Sequence, residues 1–310
     1  MTDANTGTRA RRRTGLRSHK WFTPWLLLGP AVIWVLVFAL WPFLNTVILS
    51  FTNARPLRSA DFVGFSNYER MFGDDMFWNA ILTCLIYVVV CVPLLTFLPL
   101  LLAMLVEKVI PGIALFRTTF YFPVIASVVV VALIWQWLFD SKGIFNEALQ
   151  FMGISDQPIP FLVDRWLLLG CSILLTVWKG VGYYMVVYLA ALGNVGKELH
   201  EAAMLDGANA FRRFRSVTIP AVRGAMLLIA VLIAVSAMRV FTELEVLSKG
   251  TGGPGGYDMS LVMLIRQVGS GLTGNVGYAS AISVALFLLT LIPLAAIAFM
   301  NREKKAKTPA

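Results

Sequence analysis

Long blocks of apolar residues, separated by polar stretches, run the length of this chain. A helix needs about 20 mostly apolar residues to cross roughly 30 Å of hydrocarbon at about 1.5 Å per residue. Six blocks qualify, at about 25–50, 79–106, 118–139, 166–192, 221–243 and 277–300. Four of them contain proline: Pro30 and Pro42 in the first, Pro93 and Pro99 in the second, Pro123 in the third and Pro293 in the last. Bundled membrane helices tolerate such kinks because neighbouring helices satisfy the carbonyls that proline frees. The pattern predicts an all-α, polytopic membrane protein with six transmembrane helices.

Composition agrees. Of 310 residues, 58% are hydrophobic and only 14% charged, against about 25% charged in an ordinary soluble domain. The mean hydropathy is +0.76. The three cysteines, Cys84, Cys91 and Cys171, lie inside apolar blocks, where Cys is a small packing residue, and exclude a disulfide scaffold. Two histidines, His19 and His200, leave almost nothing for a zinc site or a histidine proton relay.

The first block follows a basic tail (Arg9, Arg11, Arg12, Arg13, Arg17, Lys20), as a signal peptide would. It runs too long and has no convincing small-residue cleavage site, so it reads as a retained anchor. With both termini in the cytoplasm, segments 1–24, 107–117, 193–223 and 301–310 hold 17 Lys and Arg against 6 acids. Such asymmetry is the positive-inside pattern. The net charge of +9 is therefore topological and does not indicate nucleic-acid binding. The glycine-rich Gly250–Gly256 stretch falls in an outside loop.

The cytoplasmic segment 193–220 is unusual for a loop. Lys197 to Phe214 holds helix formers without proline, mixing Leu199, Ala202, Ala203, Ala210, Phe211 and Phe214 with Glu198, Glu201, Asp206, Arg212, Arg213 and Arg215. Gly207 interrupts it, at a cost of about 1 kcal/mol in a helix interior. This predicts two short helices meeting at a bend, with Pro220 opening the next span. One reading is a helix lying on the membrane surface; the other is a helix that fits a groove on a partner protein.

Glu201-Ala202-Ala203, then Gly207, then Val217-Thr218-Ile219-Pro220 resembles the EAA motif of permeases of ATP-binding-cassette (ABC) importers. The extended form through Asp206-Gly207-Ala208 resembles the sugar-importer branch, of maltose and glycerol-phosphate type. Phe62-Val-Gly-Phe-Ser-Asn-Tyr68, Phe116-Arg-Thr with Pro123, Trp135 and Trp137, Trp178-Lys179, Gly252-Gly253-Pro254 and Gly277-Tyr278-Ala279 match that branch in order. The resemblance implies a type I importer transmembrane domain at 25–300, with short cytoplasmic tails at 1–24 and 301–310.

It also implies that 193–220 is a coupling helix seated in a cleft of a partner ATPase. Glu201 and Asp206 would meet polar or basic groups there, Ala202 and Ala203 would permit close contact, and Gly207 would make the bend; Phe214 and Pro220 complete the set. The chain has no G-x-x-x-x-G-K-[ST] phosphate loop and no credible catalytic triad, so it is not an enzyme by itself. Any ATP and Mg²⁺ would belong to the partner ATPase, with no cofactor in this chain.

Thr176, Lys179, Gly180 and Tyr183 share one helical face by their spacing. A flat ring, a hydroxyl and an ammonium beside a glycine suit a sugar. The resemblance places substrate between this helix and the one after the EAA motif, where Ser236, Ala237 and Arg239 lie at the matching depth. A charge at the bilayer midplane costs at least about 2.5–3.5 kcal/mol. Lys179 and Arg239 should therefore face the bundle interior, and Glu243, four residues on, can pair with Arg239 within a helix. The two bases suit an anionic cargo such as a glycerol phosphate or its diester; a neutral oligosaccharide fits as well.

Six spans make half a pore. The resemblance implies a second, homologous permease subunit, two ATPase subunits and an extracytoplasmic solute-binding protein, assembled in a bacterial inner or plasma membrane without nucleic acid. A secondary carrier driven by an ion gradient through Lys179, Arg239 and Glu243 is the alternative from another class.

Overall fold

The computed structural model describes residues 23–107 and 110–306. Most of the basic tail expected at 1–24 and the last four residues lie outside the described residues. Among the described residues there is no β-strand, and two isolated bridges, Thr52 to Phe62 and Arg55 to Arg58, close one loop.

The chain divides into two compact units, Met1–Asn45 and Thr46–Ala310. The first apolar block forms helix α1 (Thr23–Val35), a π-turn at Leu36–Leu40, and helix α2 (Trp41–Leu49). The amide of Trp41 reaches back to Leu36 O, so the wide turn falls just before Pro42, whose missing N–H and ring would otherwise disrupt the ladder.

The rest follows as α3 (Ser66–Phe72), α4 (Asp75–Val106), α5 (Ile113–Ile125), α6 (Val128–Leu138), α7 (Ile144–Phe151), α8 (Arg165–Leu192), α9 (Lys197–Leu205), α10 (Ala210–Arg213), α11 (Ile219–Met238), α12 (Thr242–Leu247), α13 (Leu261–Gly269) and α14 (Val276–Ala306). Helices α4, α8 and α11 form the main core through Tyr87, Cys91, Leu95, Met185, Tyr188, Ile229 and Ile233. All three cysteines are free and buried. Lipid tails are as apolar as leucine, so contacts between membrane helices depend on close packing of small residues more than on apolar burial. Gly182 of α8 shows this: a Cβ there would lie 2.0 Å from Phe120 O on α5.

Two expected spans are corrected. The third is two helices, α5 and α6, bent by 96° at Ala126–Ser127 instead of one span over 118–139. Pro123 removes an amide from the last turn of α5, and the turn is completed from outside the helix by Lys179 of α8. The fifth ends at Met238 instead of 243, and Arg239 leaves the helix with φ −110° and ψ 17°. Pro220 does not begin a new helix. A π-turn at Phe214–Thr218 carries α10 into α11, with Ile219 N–H reaching Phe214 O. This repeats the arrangement before Pro42.

The motifs at 62–68 and 277–279 fasten one end of the bundle. Buried Asn67 donates from Nδ2 to Ser50 O at 2.9 Å and to Thr52 O at 2.8 Å. Tyr278 donates to Asp74 Oδ2, and the Arg70 guanidinium lies 4.4 Å from the Tyr278 ring centre. Gly277 lets α14 start against the loop, where a Cβ would meet Thr52 O at 2.0 Å.

Candidate coupling segment and central cavity

Helix α9 ends on two bonds, Gly207 N–H to Met204 O at 3.0 Å and Ala208 N–H to Ala203 O at 2.9 Å. Gly207 adopts φ +76° between them. This paired closure needs a left-handed residue, which glycine supplies without a Cβ penalty. Asn209 then caps α10 by accepting from Arg212 N–H at 2.8 Å. Glu201, Ala202, Asp206 and Gly207 are exposed and Ala203 is half-buried. Met204, Leu205 and Phe211 are exposed as well, Leu205 to 90%. The sequence reading passed over Met204 and Leu205, although their place beside the motif was the available signal. Phe214, assigned to the coupling surface from sequence, is half-buried and packs on the main core. It therefore anchors the segment instead of offering a docking face. Pro220 is exposed within the continuous helix.

A cavity of about 280 Å³ lies between α4, α8, α11 and the break at 239–243. Of the residues assigned to the substrate path from sequence, Thr176, Lys179, Gly180, Ser236, Ala237 and Arg239 line this cavity and Tyr183 does not. Tyr183 is 47% exposed and meets Tyr184 edge-on, with ring centres 5.1 Å apart. Tyr184 lines the cavity in its place, because the wall curves toward Cys91 and Leu95 on α4. Sequence reasoning also missed Tyr87, whose buried hydroxyl has no hydrogen-bond partner among the described residues. Its isolation within an apolar block left no signal.

The charges divide differently from expectation. Lys179 Nζ donates to Pro123 O at 2.9 Å, Val124 O at 3.2 Å and Ala126 O at 2.7 Å. An ammonium has three donors, so all of them complete the broken turn between α5 and α6. Arg239 and Glu243 both line the cavity, but the helix break separates them and, among the described residues, they form no ion pair. The in-helix pair expected from their spacing is absent because residues 239–241 are not helical.

A family described as "binding-protein-dependent transport system inner membrane component" matches residues 75–305. The chain belongs to this family. It is 30% identical over 294 residues to the lactose transport system permease protein LacF of Rhizobium radiobacter, covering 94% of this chain and 98% of that one. It is also 30% identical to the trehalose/maltose transport system permease protein MalF of Thermococcus litoralis, covering 86% and 91%. A bacterial alginate ABC transporter, solved with an alginate pentasaccharide-bound periplasmic protein, superposes with a TM-score of 0.78 at 23% identity, over 93% of this chain and 96% of that one. The fold is thus that of a type I importer transmembrane domain. The chain is a multi-pass permease subunit working with a binding protein, a transport component and not an enzyme. Membership of this family replaces the ion-driven carrier considered from sequence.

The permease's glycine-rich loop is held by a buried ion pair. Arg165 Nε lies 3.4 Å from Asp258 Oδ1, and Asp258 is 0% exposed. Thr83 Oγ1 donates to Tyr257 O at 3.3 Å, joining the loop to α4. Burial pushes the Asp258 carboxyl up to about 6, with Arg165 opposing that rise only in part. Because the folded pKa is raised, the stability linked to proton binding is fully present below the ordinary value near 3.8 and is lost as pH rises through about 6. Thermal midpoints of the solubilised permease should therefore show an Asp258-dependent gain on acidification from pH 7 to 5. Asp258→Asn should remove that increment; an identical pH profile in both proteins would contradict the assignment.

Proposed function

We propose that this permease forms half of the pathway through an importer for a neutral di- or oligosaccharide. It pairs with a second, homologous permease, and two ATPase subunits, which hold the ATP and Mg²⁺, dock on α9 through Glu201, Ala202, Ala203, Asp206 and Gly207. The binding protein delivers cargo to the opposite side, and both termini lie in the cytoplasm, as the 17 to 6 excess of bases over acids in those segments supports. The exposed acids and apolar side chains of α9 suit a partner groove better than a lipid surface.

One observation carries the cargo reading. Lys179 is occupied by three carbonyls, and Glu243 sets a carboxylate in the same cavity as Arg239. The cavity therefore offers no paired cationic site for a phosphate, while its hydroxyls and the Tyr184 ring suit a sugar's hydroxyls and C–H face. Relatives named for lactose and for trehalose/maltose transport support the same class.

Uptake of labelled lactose, maltose, trehalose and glycerol 3-phosphate is the test, in cells expressing the permease with its neighbouring transport components. ATP-dependent uptake of a neutral sugar, weakened by Arg239→Ala, is expected. Uptake of glycerol phosphate alone, with Arg239→Ala and Lys179→Ala affecting only that cargo, would overturn the neutral assignment.

A further inference from the structure

Beside the central cavity lies a second one of about 360 Å³, lined by Glu245, Lys249, Met259, Met263, Arg266 and Gln267 among others. Arg266, which lines the second cavity, also reaches a wall of the first. Arg266, on α13, forms an ion pair with Glu245 on α12, and its guanidinium lies 5.6 Å from the centre of the Phe241 ring. Phe241 in turn lines the central cavity. Arg266 thus holds both the ring that walls one cavity and the carboxylate that borders the other.

Two features suit this arrangement to a moving part. The Arg266 side chain is 58% exposed; such solvated ion pairs are weak, so breaking one costs little. Phe241 lies in the non-helical break at 239–241 and Glu245 one turn on in α12, its N–H on Phe241 O at 2.8 Å, so ring and carboxylate sit at the joint between α11 and α12. The rim of the second cavity shows a further sign of use. Lys249 occupies the left-handed position that closes α12, at φ +55°, with its N–H on Val246 O and Gly250 N–H on Glu245 O. Glycine is favoured there. A lysine is strained in that position and places an ammonium on the cavity edge.

We propose that the second cavity is an antechamber on the cargo path and that Arg266 closes it off from the central cavity by gripping Phe241 and Glu245. Lys249, Gln267, Arg266 and Glu245 supply hydrogen-bonding groups for a hydroxyl-rich cargo, and Met259 and Met263 supply an apolar floor. The cargo class rests on the neutral-sugar reading above. The closing role of Arg266 does not, so the test uses no cargo.

Replacing the three native cysteines with alanine and adding Ser236→Cys puts one thiol in the central cavity. Its labelling by a membrane-impermeant thiol reagent is followed in spheroplasts carrying the assembled transporter. Ser59→Cys, on an exposed loop, serves as the control for sidedness and for the amount of folded protein. Labelling of Ser236→Cys should be slow with Arg266 present and about tenfold faster with Arg266→Ala or Glu245→Ala, the order expected for losing one stacked, ion-paired arginine. Phe241→Ala should match them, and the Glu245→Arg/Arg266→Glu exchange should restore the slow rate if the pair is the closing element. Equal rates in all variants would overturn the proposal. So would an exchange variant that labels as fast as Arg266→Ala while the Ser59→Cys control is unchanged. Failure of the sugar uptake panel would leave these labelling rates untouched.

Discussion

The Glu201→Lys/Gly207→Pro double variant is expected to abolish ATP-driven uptake while the permease still inserts into the membrane. Gly207 N–H donates to Met204 O, and the residue holds φ +76°. Proline has neither that N–H nor access to that φ, so the substitution costs about 3 kcal/mol or more. The adjoining bond from Ala208 N–H to Ala203 O is lost with it, and α9 no longer keeps its angle to α10. Glu201 is exposed, so its reversal to lysine leaves folding alone and repels a basic groove. ATPase activity co-purifying with the wild-type permease from native membranes should fall at least about tenfold in the variant, a loss of about 1.4 kcal/mol or more in docking. Glu201→Lys alone should weaken it less. Undiminished ATPase in the double variant would remove α9 from the coupling role.

Lys179→Met should be the most damaging single substitution within the spans. Methionine keeps the length and apolar stem of lysine but leaves Pro123 O, Val124 O and Ala126 O without their donor. Each unsatisfied buried carbonyl costs about 1–3 kcal/mol. Lys179 is only part-buried, and water entering the cavity offsets some of that, giving roughly 2–4 kcal/mol in total. The 96° bend between α5 and α6 then loses its tie to α8. The expected result is a thermal midpoint lowered by several degrees, with uptake reduced for every cargo alike. Lys179→Arg, which keeps multiple donors, should recover much of both. A raised KM for one cargo at an unchanged thermal midpoint would instead mean that Lys179 touches cargo.

Much of the fold was legible because lipid imposes simple rules. A block such as 166–192 has few ways to hide its backbone other than as a helix, and α8 runs from Arg165 to Leu192. The bend at Gly207 was equally plain, since one glycine interrupts a run of helix formers. Charge partners were not legible. Arg239 and Glu243 stand four apart in sequence, and only the local exit from helix at 239–241 separates them. Phe214 read as part of a docking surface because its contacts come from the distant core.

Residue order alone carried the solvent, the helical class, the family motifs and the bend at Gly207. These follow from local composition and spacing. The tertiary structure decided how the third span breaks, which of the two membrane-embedded bases is already occupied, and which residues meet around the two cavities. Each of those depends on carbonyls, rings and carboxylates brought together from separate helices, as Lys179 is with Ala126 and Arg266 is with Phe241. A span's hydropathy carries no record of the neighbour that will satisfy it.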